Sequence, residues 1–357
     1  MIAHRKRVLI IDDSVFARKI VSDILASSPE LQVVGTATDG REGLRMIEAL
    51  EPDVVTLDVE MPGLDGIQTL EAIMRDFPTP VVMLSSLTVR GARESVTAFR
   101  LGAVDVMAKP HGTHSIGLTA QADELIAKVA AAAHVVVAAL RPVPTTVTPR
   151  APAASVPAGS AYPIVIIASS TGGPRALRGL VPELTADAGA AYAVVQHLPE
   201  GFSAAFAHDI NSLTDLNVRE AEDGDTLRSG DVLFAKSGWH LVFDRSRLTR
   251  LTRTAPLWGV RPSADATMAS AAPVFGSRLI GVVLTGMGRD GANGLRLIKE
   301  VGGITVAEDE STCIVYGMPR AAIEEGVVDI VAPLDKMAEA IRRSVRRVAQ
   351  AHQEKAA

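Results

Sequence analysis

Residues 162–173 read YPIVIIASSTGG, and this stretch is the clearest indication of an α/β fold in the second half of the chain. The apolar run Ile164–Ala168 predicts a buried strand, and the small residues from Ser169 to Gly173 permit a tight turn before a helical pattern. An α/β fold lifts a serine hydroxyl to the carboxyl edge of its sheet in this way. The same turn is also typical of a phosphate cradle at a helix N-terminus, although the Lys-Ser/Thr pair of a P-loop is missing.

The bulk composition is that of a globular protein. The chain has 357 residues, 47% apolar and 22% charged, enough for two domains that each bury a core. The net charge of −5 gives no electrostatic argument for nucleic acid as the main partner. We expect a cytoplasmic protein without membrane insertion, because no apolar stretch approaches the roughly 20 residues of a membrane span. The single cysteine, Cys313, fits a reducing compartment and is interpreted as a small hydrophobic residue rather than a nucleophile.

The first half alternates strands and helices, which indicates an α/β fold. Predicted strands are Val8–Asp12, Leu31–Ala37, Asp53–Asp58, Val81–Leu84 and Val104–Ala108. Predicted helices are Val15–Ala26 with Ser14 as N-cap, Arg41–Leu50 and about Val89–Leu101. Continuous apolar strands between helices predict a flavodoxin-like, doubly wound (βα)5 parallel sheet, whose ligands bind at the carboxyl ends of the strands.

Polar residues end these strands on one edge of the predicted sheet: Asp12 and Asp13, Asp58, Ser85, and Lys109-Pro110. Clustered carboxylates suit a hard cation such as Mg²⁺, and a carboxylate is also a nucleophile towards phosphate. The lysine would neutralise phosphate charge, and the serine would hydrogen-bond a phosphate oxygen. The competing interpretation is that each aspartate only caps the helix that follows it.

This set of residues resembles the response-regulator receiver domain over about residues 6–130. The resemblance implies that Asp58 accepts phosphate from a histidine kinase, that Asp12 and Asp13 help Asp58 to hold Mg²⁺, and that Ser85 and Lys109 sense the phosphate. The segment MPGLDG at residues 61–66 matches the loop after the acceptor in this family. The Lys109–Pro110 peptide bond is cis in the family.

The composition changes after the first domain. Residues 131–161 are rich in Ala, Val, Thr and Pro and predict an extended linker, whose early part can still belong to a helix over Leu125–Leu140. A second doubly wound parallel-sheet α/β domain is predicted over residues 162–350. Its predicted strands are Ile164–Ala168, Ala191–Gln196, Val232–Ala235, Leu279–Leu284 and Gly303–Ala307. Its predicted helices are about Ala176–Leu184, Ser203–Ser212, Thr267–Phe275, Gly291–Val301 and Met318–Glu325, with an amphipathic surface helix over Lys336–Lys355.

A serine nucleophile needs a base and an orienting carboxylate. His197 follows the second strand of this domain, and Asp290 lies in the glycine-rich turn after the strand Leu279–Leu284. From local sequence alone, His197 can be purely structural and Asp290 can be a helix N-cap. Four other aspartates compete for the carboxylate role: Asp209, Asp223, Asp225 and Asp265.

The second domain resembles the catalytic domain of the chemotaxis protein-glutamate methylesterases (CheB) across about residues 162–348. The matching segments are ASSTGGPRAL, VVQHLPEGF, RPSADATMASAA and LTGMGRDGANGL. The resemblance implies a catalytic triad of Ser170, His197 and Asp290, with Met287 beside the oxyanion hole and Thr171 next to the nucleophile. Ser169 departs from the Gly or Ala expected in the family, and it is small enough for the turn.

The resemblance also implies the reaction and its control. The substrates are methyl-accepting chemotaxis receptors, whose glutamate methyl esters are hydrolysed and whose glutamines are deamidated without a cofactor for the esterase step. The unphosphorylated receiver blocks the site, and phosphorylation of Asp58 frees it. Two alternatives stay open: a non-enzymatic response regulator whose second half binds a partner or nucleic acid, and a serine amidase or peptidase with other substrates. No helix-turn-helix pattern or basic aromatic patch favours the first.

Overall fold

The fold was analysed in a computed structural model, which describes residues 5–109, 115–135 and 162–356. The described residues fall into two compact units, 5–135 and 162–356. Most of the predicted linker, 131–161, lies outside the described residues, and so does Pro110, so the extended linker and the cis Lys109–Pro110 bond stay predictions. In the described part of the chain no helix is both long and apolar enough to cross a membrane.

The first unit is a parallel five-stranded sheet in the order β2-β1-β3-β4-β5. Its strands are Lys6–Ile11 (β1), Leu31–Ala37 (β2), Val54–Asp58 (β3), Val81–Ser85 (β4) and Asp105–Ala108 (β5). Its helices are Val15–Ala26 (α1), Gly40–Leu50 (α2), Gly66–Asp76 (α3), Val89–Leu101 (α4) and Ser115–Ala132 (α5). All five predicted strands are present, and the helix predicted from Leu125 is the second half of α5, with residues 136–140 outside the described part.

Local signals set the helix starts in this unit. Ser14 caps α1, because its side chain accepts a hydrogen bond from Ala17 N. Asp65, the fifth residue of the MPGLDG segment, caps α3 with a reciprocal bond to Gln68, which is a capping box. The helix α3 was not predicted from the sequence, although this capping box is a local sequence signal. Neither helix is capped by a strand-end aspartate, so the capping interpretation does not explain Asp12 or Asp58.

The second unit is built on a parallel seven-stranded sheet in the order β14-β13-β12-β6-β7-β9-β8. Its strands are Ile164–Ser169 (β6), Ala191–Gln196 (β7), Asn217–Glu220 (β8), Asp231–Phe234 (β9), Leu279–Val283 (β12), Ile304–Glu308 (β13) and Ile330–Ala332 (β14). An antiparallel hairpin joins His240–Phe243 (β10) and Thr249–Thr252 (β11). The helices are Gly173–Leu180 (α6), Ser203–Asn211 (α7), Ala264–Phe275 (α8), Ala292–Glu300 (α9), Met318–Glu324 (α10) and Leu334–Ala356 (α11).

Five strands of this unit, β6, β7, β9, β12 and β13, follow the prediction, whereas β8, β10, β11 and β14 were missed. The missed strands have three or four residues, and none contains more than three consecutive apolar residues, which is too short a run to predict a strand. The predicted C-terminal surface helix is α11, and one of its faces is buried through Met337, Ile341, Val345 and Val348. Helical spacing of these four residues explains the burial.

The strand order places a switch point at β6. The chain goes from β6 to β7 on one side, whereas β12 pairs with the other side of β6. Ligand sites in open α/β sheets lie beyond the carboxyl ends of the strands at such a point. The residues that follow β6, β7 and β12 therefore meet at one place, and they include Ser170, His197 and Asp290.

Candidate active site

Ser170 lies in a tight turn between β6 and α6. Gly172 has a φ of +80°, and a Cβ there would lie 2.5 Å from Ile314 Cβ, so both backbone conformation and space require glycine. Ser170 N donates to Thr285 O at 3.1 Å, and Ser170 is buried, with 8% of the residue exposed. The strand-turn-helix context predicted for the elbow is therefore present, with Ser170 directly after the carboxyl end of β6.

His197 is tied to the same edge. Ser169 pairs with Gln196 at the end of the β6–β7 ladder, and His197 N donates to Ser169 O at 3.1 Å. His197 Nε2 lies 2.9 Å from Asp290 Oδ2. The structure thus brings His197 and Asp290 into direct contact beside the serine turn, as the sequence analysis expected.

The competing aspartates have other partners. Asp209 pairs with Arg178, Asp225 with Arg219 and Asp223 with Arg250. Asp265 accepts hydrogen bonds from backbone N–H groups at the start of α9. Asp290 is the carboxylate that contacts His197 Nε2, and this contact favours it over the four competitors as the orienting group.

Asp290 is not the cap of its own following helix, since Gly291 occupies that position. Instead its carboxylate accepts from Ser263 Oγ at 2.6 Å, Ala264 N at 2.6 Å and Asp265 N at 3.0 Å, at the start of α8. Burial raises the pKa of Asp290, but the hydrogen bonds from His197, Ser263 and the helix outweigh burial and leave the pKa below its usual value. The carboxylate is therefore ionised at neutral pH.

Asp265 and Asp290 form a reciprocal arrangement. Asp290 accepts from the first turn of α8, the helix that contains Asp265. Asp265 accepts from Gly291 N at 3.0 Å and Gly294 N at 2.7 Å at the start of α9, and from the indole N–H of Trp258 at 2.7 Å. Burial raises the pKa of Asp265. Each carboxylate thus fixes the helix start next to the other one.

The loop after β12 contacts both sides of the serine turn. Gly286 packs directly on Ser170, since a Cβ on Gly286 would lie 2.8 Å from Ser170 Cβ. Thr285 Oγ1 donates to Thr171 O at 3.0 Å, which joins the residue after the serine to this loop. Met287 follows Gly286 and is partly exposed. Thr171 and Met287, the two predicted supporting residues, therefore belong to segments that meet at Ser170.

Two buried polar residues at this site were missed by the sequence analysis. Glu308 ends β13 and accepts from Thr285 N at 2.8 Å and from Thr312 Oγ1 at 3.0 Å; burial raises its pKa. Gln196 ends β7 and donates to two backbone carbonyls of the site. The available signal was their position at strand ends, the same signal that identified the acidic set of the first unit.

Cys313 lies close to this loop but is chemically unsuited to act as a nucleophile. Burial, together with the charge of Glu308, raises the pKa of its thiol. Since the thiolate is the reactive form, a raised pKa makes Cys313 unreactive at neutral pH. This agrees with its interpretation as a small hydrophobic residue.

The acidic set of the first unit also meets at one edge. Asp12 and Asp58 are buried and Asp13 is exposed, and one carboxylate oxygen from each lies within 4.8 Å of the others. Lys109 Nζ lies 2.7 Å from Asp58 Oδ2 and 3.0 Å from Asp12 Oδ2. Ser85 is buried at the end of β4, and its carbonyl accepts from Lys109 N at 2.9 Å.

The electrostatics of this set favour a cation. Burial, together with the charge of Asp12, raises the pKa of Asp58 to about 6, although Lys109 acts in the opposite direction. Burial lowers the pKa of Lys109, but the two carboxylates outweigh burial and leave it raised. One lysine does not neutralise three carboxylates, and oxygen ligands at this spacing fit a hard divalent cation.

Comparison with known proteins agrees with both units. The response regulator receiver domain family matches residues 8–131, and the CheB methylesterase family matches residues 165–341. A protein-glutamate methylesterase/protein-glutamine glutaminase from Symbiobacterium thermophilum is 46% identical over 352 residues, which cover 95% of this chain and 97% of the relative. The chain belongs to the CheB methylesterase family.

Two further CheB relatives support this assignment. The Pyrococcus abyssi protein of the same name is 44% identical over 349 residues, which cover 96% of this chain and 94% of the relative. The crystal structure of the Thermotoga maritima CheB methylesterase catalytic domain superposes with a TM-score of 0.50 at 40% identity, covering 52% of this chain and 99% of that domain. The predicted family and the predicted order, a receiver followed by a parallel-sheet α/β methylesterase domain, are confirmed.

Proposed function

We propose that this protein hydrolyses methyl esters of glutamate residues in methyl-accepting chemotaxis receptors and deamidates receptor glutamines. The names of the CheB relatives describe both activities. The observation that supports the proposal best is the contact of His197 Nε2 with Asp290 at 2.9 Å, at the same sheet edge as the Ser170 turn. A serine, a base and an orienting carboxylate on three neighbouring strands suit acyl transfer.

Ser170 acts as the nucleophile and His197 as the base. Because Nε2 donates its proton to Asp290, Nδ1 of the imidazole is the nitrogen that accepts the proton of Ser170 Oγ. The alkoxide attacks the γ-carbonyl carbon, and backbone N–H groups of Thr171 or Met287 stabilise the oxyanion, each by roughly 2.7–4 kcal/mol. His197 then returns the proton to the departing methoxide, so that methanol leaves.

Water completes the reaction through the same base. His197 removes a proton from water, the hydroxide attacks the acyl-serine, and Ser170 regains its proton as glutamate is released. With glutamine in the site, the proton from His197 goes to the amide nitrogen and ammonia leaves. Asp290 stabilises the imidazolium during each transfer without taking the proton itself.

The receiver supplies control of this reaction. We propose that Asp58 accepts phosphate from a histidine kinase, that Asp12, Asp13 and Asp58 hold Mg²⁺, and that Ser85 and Lys109 bind the phosphoryl oxygens. A bound Mg²⁺ would neutralise phosphate charge, and the three carboxylates within 4.8 Å fit such an ion. A full switch of a docked receiver from 1:99 to 99:1 takes about 5.5 kcal/mol, so we expect partial activation.

Ser170→Ala tests the enzymatic proposal. Methanol release from methylated receptors should fall to the residual level that binding alone supplies. Thr305→Val, which removes a buried hydroxyl from β13 of the same sheet, is the matched control and should keep the wild-type rate per folded molecule. Retained methanol release in Ser170→Ala would refute the assignment.

An active-site phosphonate separates the alternatives. Labelling of Ser170 distinguishes an enzyme from a partner-binding regulator, and methanol release from receptors distinguishes a methylesterase from another serine amidase. Regulation is tested by measuring the rate with and without a small phosphodonor. Wild type should be activated and Asp58→Asn should not; equal activation of both would exclude control through Asp58.

A further inference from the structure

Gln196 is a buried amide that bonds to both the serine turn and the histidine. Its side chain is at the end of β7 and only 2% of the residue is exposed. Nε2 donates to Ser170 O at 3.0 Å and to His197 O at 2.9 Å. Both N–H donors of one amide group therefore go to the backbone carbonyls of these two residues.

Two backbone carbonyls fix which way this amide points, and Ser169 holds its oxygen. Ser169 Oγ donates to Gln196 Oε1 at 2.7 Å. In a flipped amide Oε1 would face the carbonyl oxygens of Ser170 and His197, and both carbonyls would lose their donor. The Ser169 hydroxyl gives Oε1 a donor in the orientation that the two carbonyls require.

Gly173 packs directly against the side-chain amide of Gln196. A Cβ on Gly173 would lie 2.0 Å from Gln196 Oε1 and 2.8 Å from Ser169 Cβ. The amide thus fills the space directly under the first turn of α6. Gly173 N also donates to Ser170 O at 2.7 Å. The carbonyl of Ser170 therefore accepts two hydrogen bonds, one from α6 and one from the Gln196 side chain at the end of β7.

We propose that Gln196 is a positioning residue that sets the separation between Ser170 and His197, with Ser169 holding its amide oxygen in place. The β6–β7 ladder ends at Ser169 and Gln196, so the two proposed reactive residues lie one residue beyond the last paired position. Beyond that point the amide joins the two chain segments by bonding to both carbonyls. This proposal rests on the proposed roles of Ser170 and His197 as nucleophile and base.

The effect should fall on the chemical step. A displacement of about 1 Å at a reacting group lowers the rate about 100-fold, and this is the loss expected in kcat for Gln196→Met, which keeps the side-chain length without the donors. Ser169→Ala removes one hydrogen bond and leaves the donors in place, so we expect a loss of about 5-fold. KM should stay within about 2-fold in both variants, because neither side chain is a proposed substrate contact.

The experiment measures the number of intact active sites separately from the reaction rate per site. The full-length variants are reacted with an active-site phosphonate: the labelled fraction counts intact sites, and the labelling rate reports Ser170 reactivity per site. A purely structural role would lower the labelled fraction, whereas a positioning role lowers the rate at an unchanged fraction. Thr305→Val is the control for loss of a buried hydroxyl elsewhere in the sheet and should label at the wild-type rate.

Two outcomes would overturn the proposal. One is a per-site labelling rate within 2-fold of wild type in both Gln196→Met and Ser169→Ala; the other is an equal slowing in Thr305→Val. If Gln196→Met does not fold, Ser169→Ala decides, since it removes a single side-chain hydrogen bond and leaves the two amide donors in place. Labelling needs no receptor, so a wild-type protein that is labelled but releases no methanol would contradict the proposed function and leave the positioning test valid.

Discussion

Asp290→Asn is expected to reduce both stability and activity, and the structure separates the two effects. The carboxylate accepts four hydrogen bonds, from His197, Ser263, Ala264 N and Asp265 N. An asparagine oxygen accepts two, so at least two buried donors lose their partner at about 1–3 kcal/mol each. The unfolding free energy should therefore fall by about 2–6 kcal/mol. The imidazole also loses its orienting anion, and by analogy with serine proteases kcat should fall about 10⁴-fold.

Asp265→Asn is the matched control. Asp265 is 6% exposed and accepts from Gly291 N, Gly294 N, the Trp258 indole and, at 3.4 Å, the Asn293 amide, so its loss of acceptor capacity is comparable. The His197 imidazole contacts Asp290 rather than Asp265. We therefore expect similar destabilisation but a rate per active site within about 10-fold of wild type.

Stability is measured by urea unfolding, and activity by methanol release divided by the number of phosphonate-reactive sites. The reasoning would be refuted if Asp290→Asn kept a per-site rate within 10-fold of wild type. It would also be refuted if Asp265→Asn lost as much per-site rate as Asp290→Asn, because the contact with His197 would then have no separate effect.

Three further perturbations test other parts of the molecule. Gly286→Ala places a methyl group 2.8 Å from Ser170 Cβ and should lower stability by about 1–3 kcal/mol and methanol release more than 10-fold; unchanged release contradicts the packing. Lys128→Met leaves Asp105 buried without the lysine 3.2 Å away and should destabilise the receiver by about 3–5 kcal/mol in calorimetry; a stabilised variant would show that the pair is dispensable. The pKa of Asp58 is raised from 3.8 to about 6, so its protonation stabilises the receiver by about 3 kcal/mol below about pH 4, and this contribution is lost as the pH rises to 6. In EDTA, Asp58→Asn should abolish that loss of unfolding free energy. The same dependence of unfolding free energy on pH in wild type and variant would refute it.

The strand ends were the most informative part of the sequence for function. Asp58, Lys109, Ser170 and His197 became candidates because a polar residue ends or follows an apolar run, and parallel strands place such residues on one edge. Gln196 and Glu308 also end strands of the sheet, but nothing else in the sequence distinguishes them from other strand residues. Their roles depend on which backbone groups surround them, and these groups come from distant segments.

Elements with weak local signals were missed for a physical reason. The short strands β8, β10, β11 and β14 each contain at most three consecutive apolar residues, which is too few for a recognisable pattern, and they form by pairing with their neighbours in the sheet or hairpin. The helix α3 has a local start signal in the Asp65–Gln68 capping box, which overlaps the MPGLDG segment, and it was not predicted. The four short strands therefore depend on pairing with neighbouring strands more than on the intrinsic β propensity of their residues.

The two α/β units, the turn in YPIVIIASSTGG and the family follow from the sequence alone, because period, turn residues and motif order are local properties of the chain. Which carboxylate faces His197 depends on contacts between distant segments. Five aspartates were available, and the choice fell on Asp290 because the β6–β12 pairing and the start of α8 bring its oxygen to 2.9 Å. Such a contact joins residues 93 positions apart, and a local pattern contains no information about that distance in space.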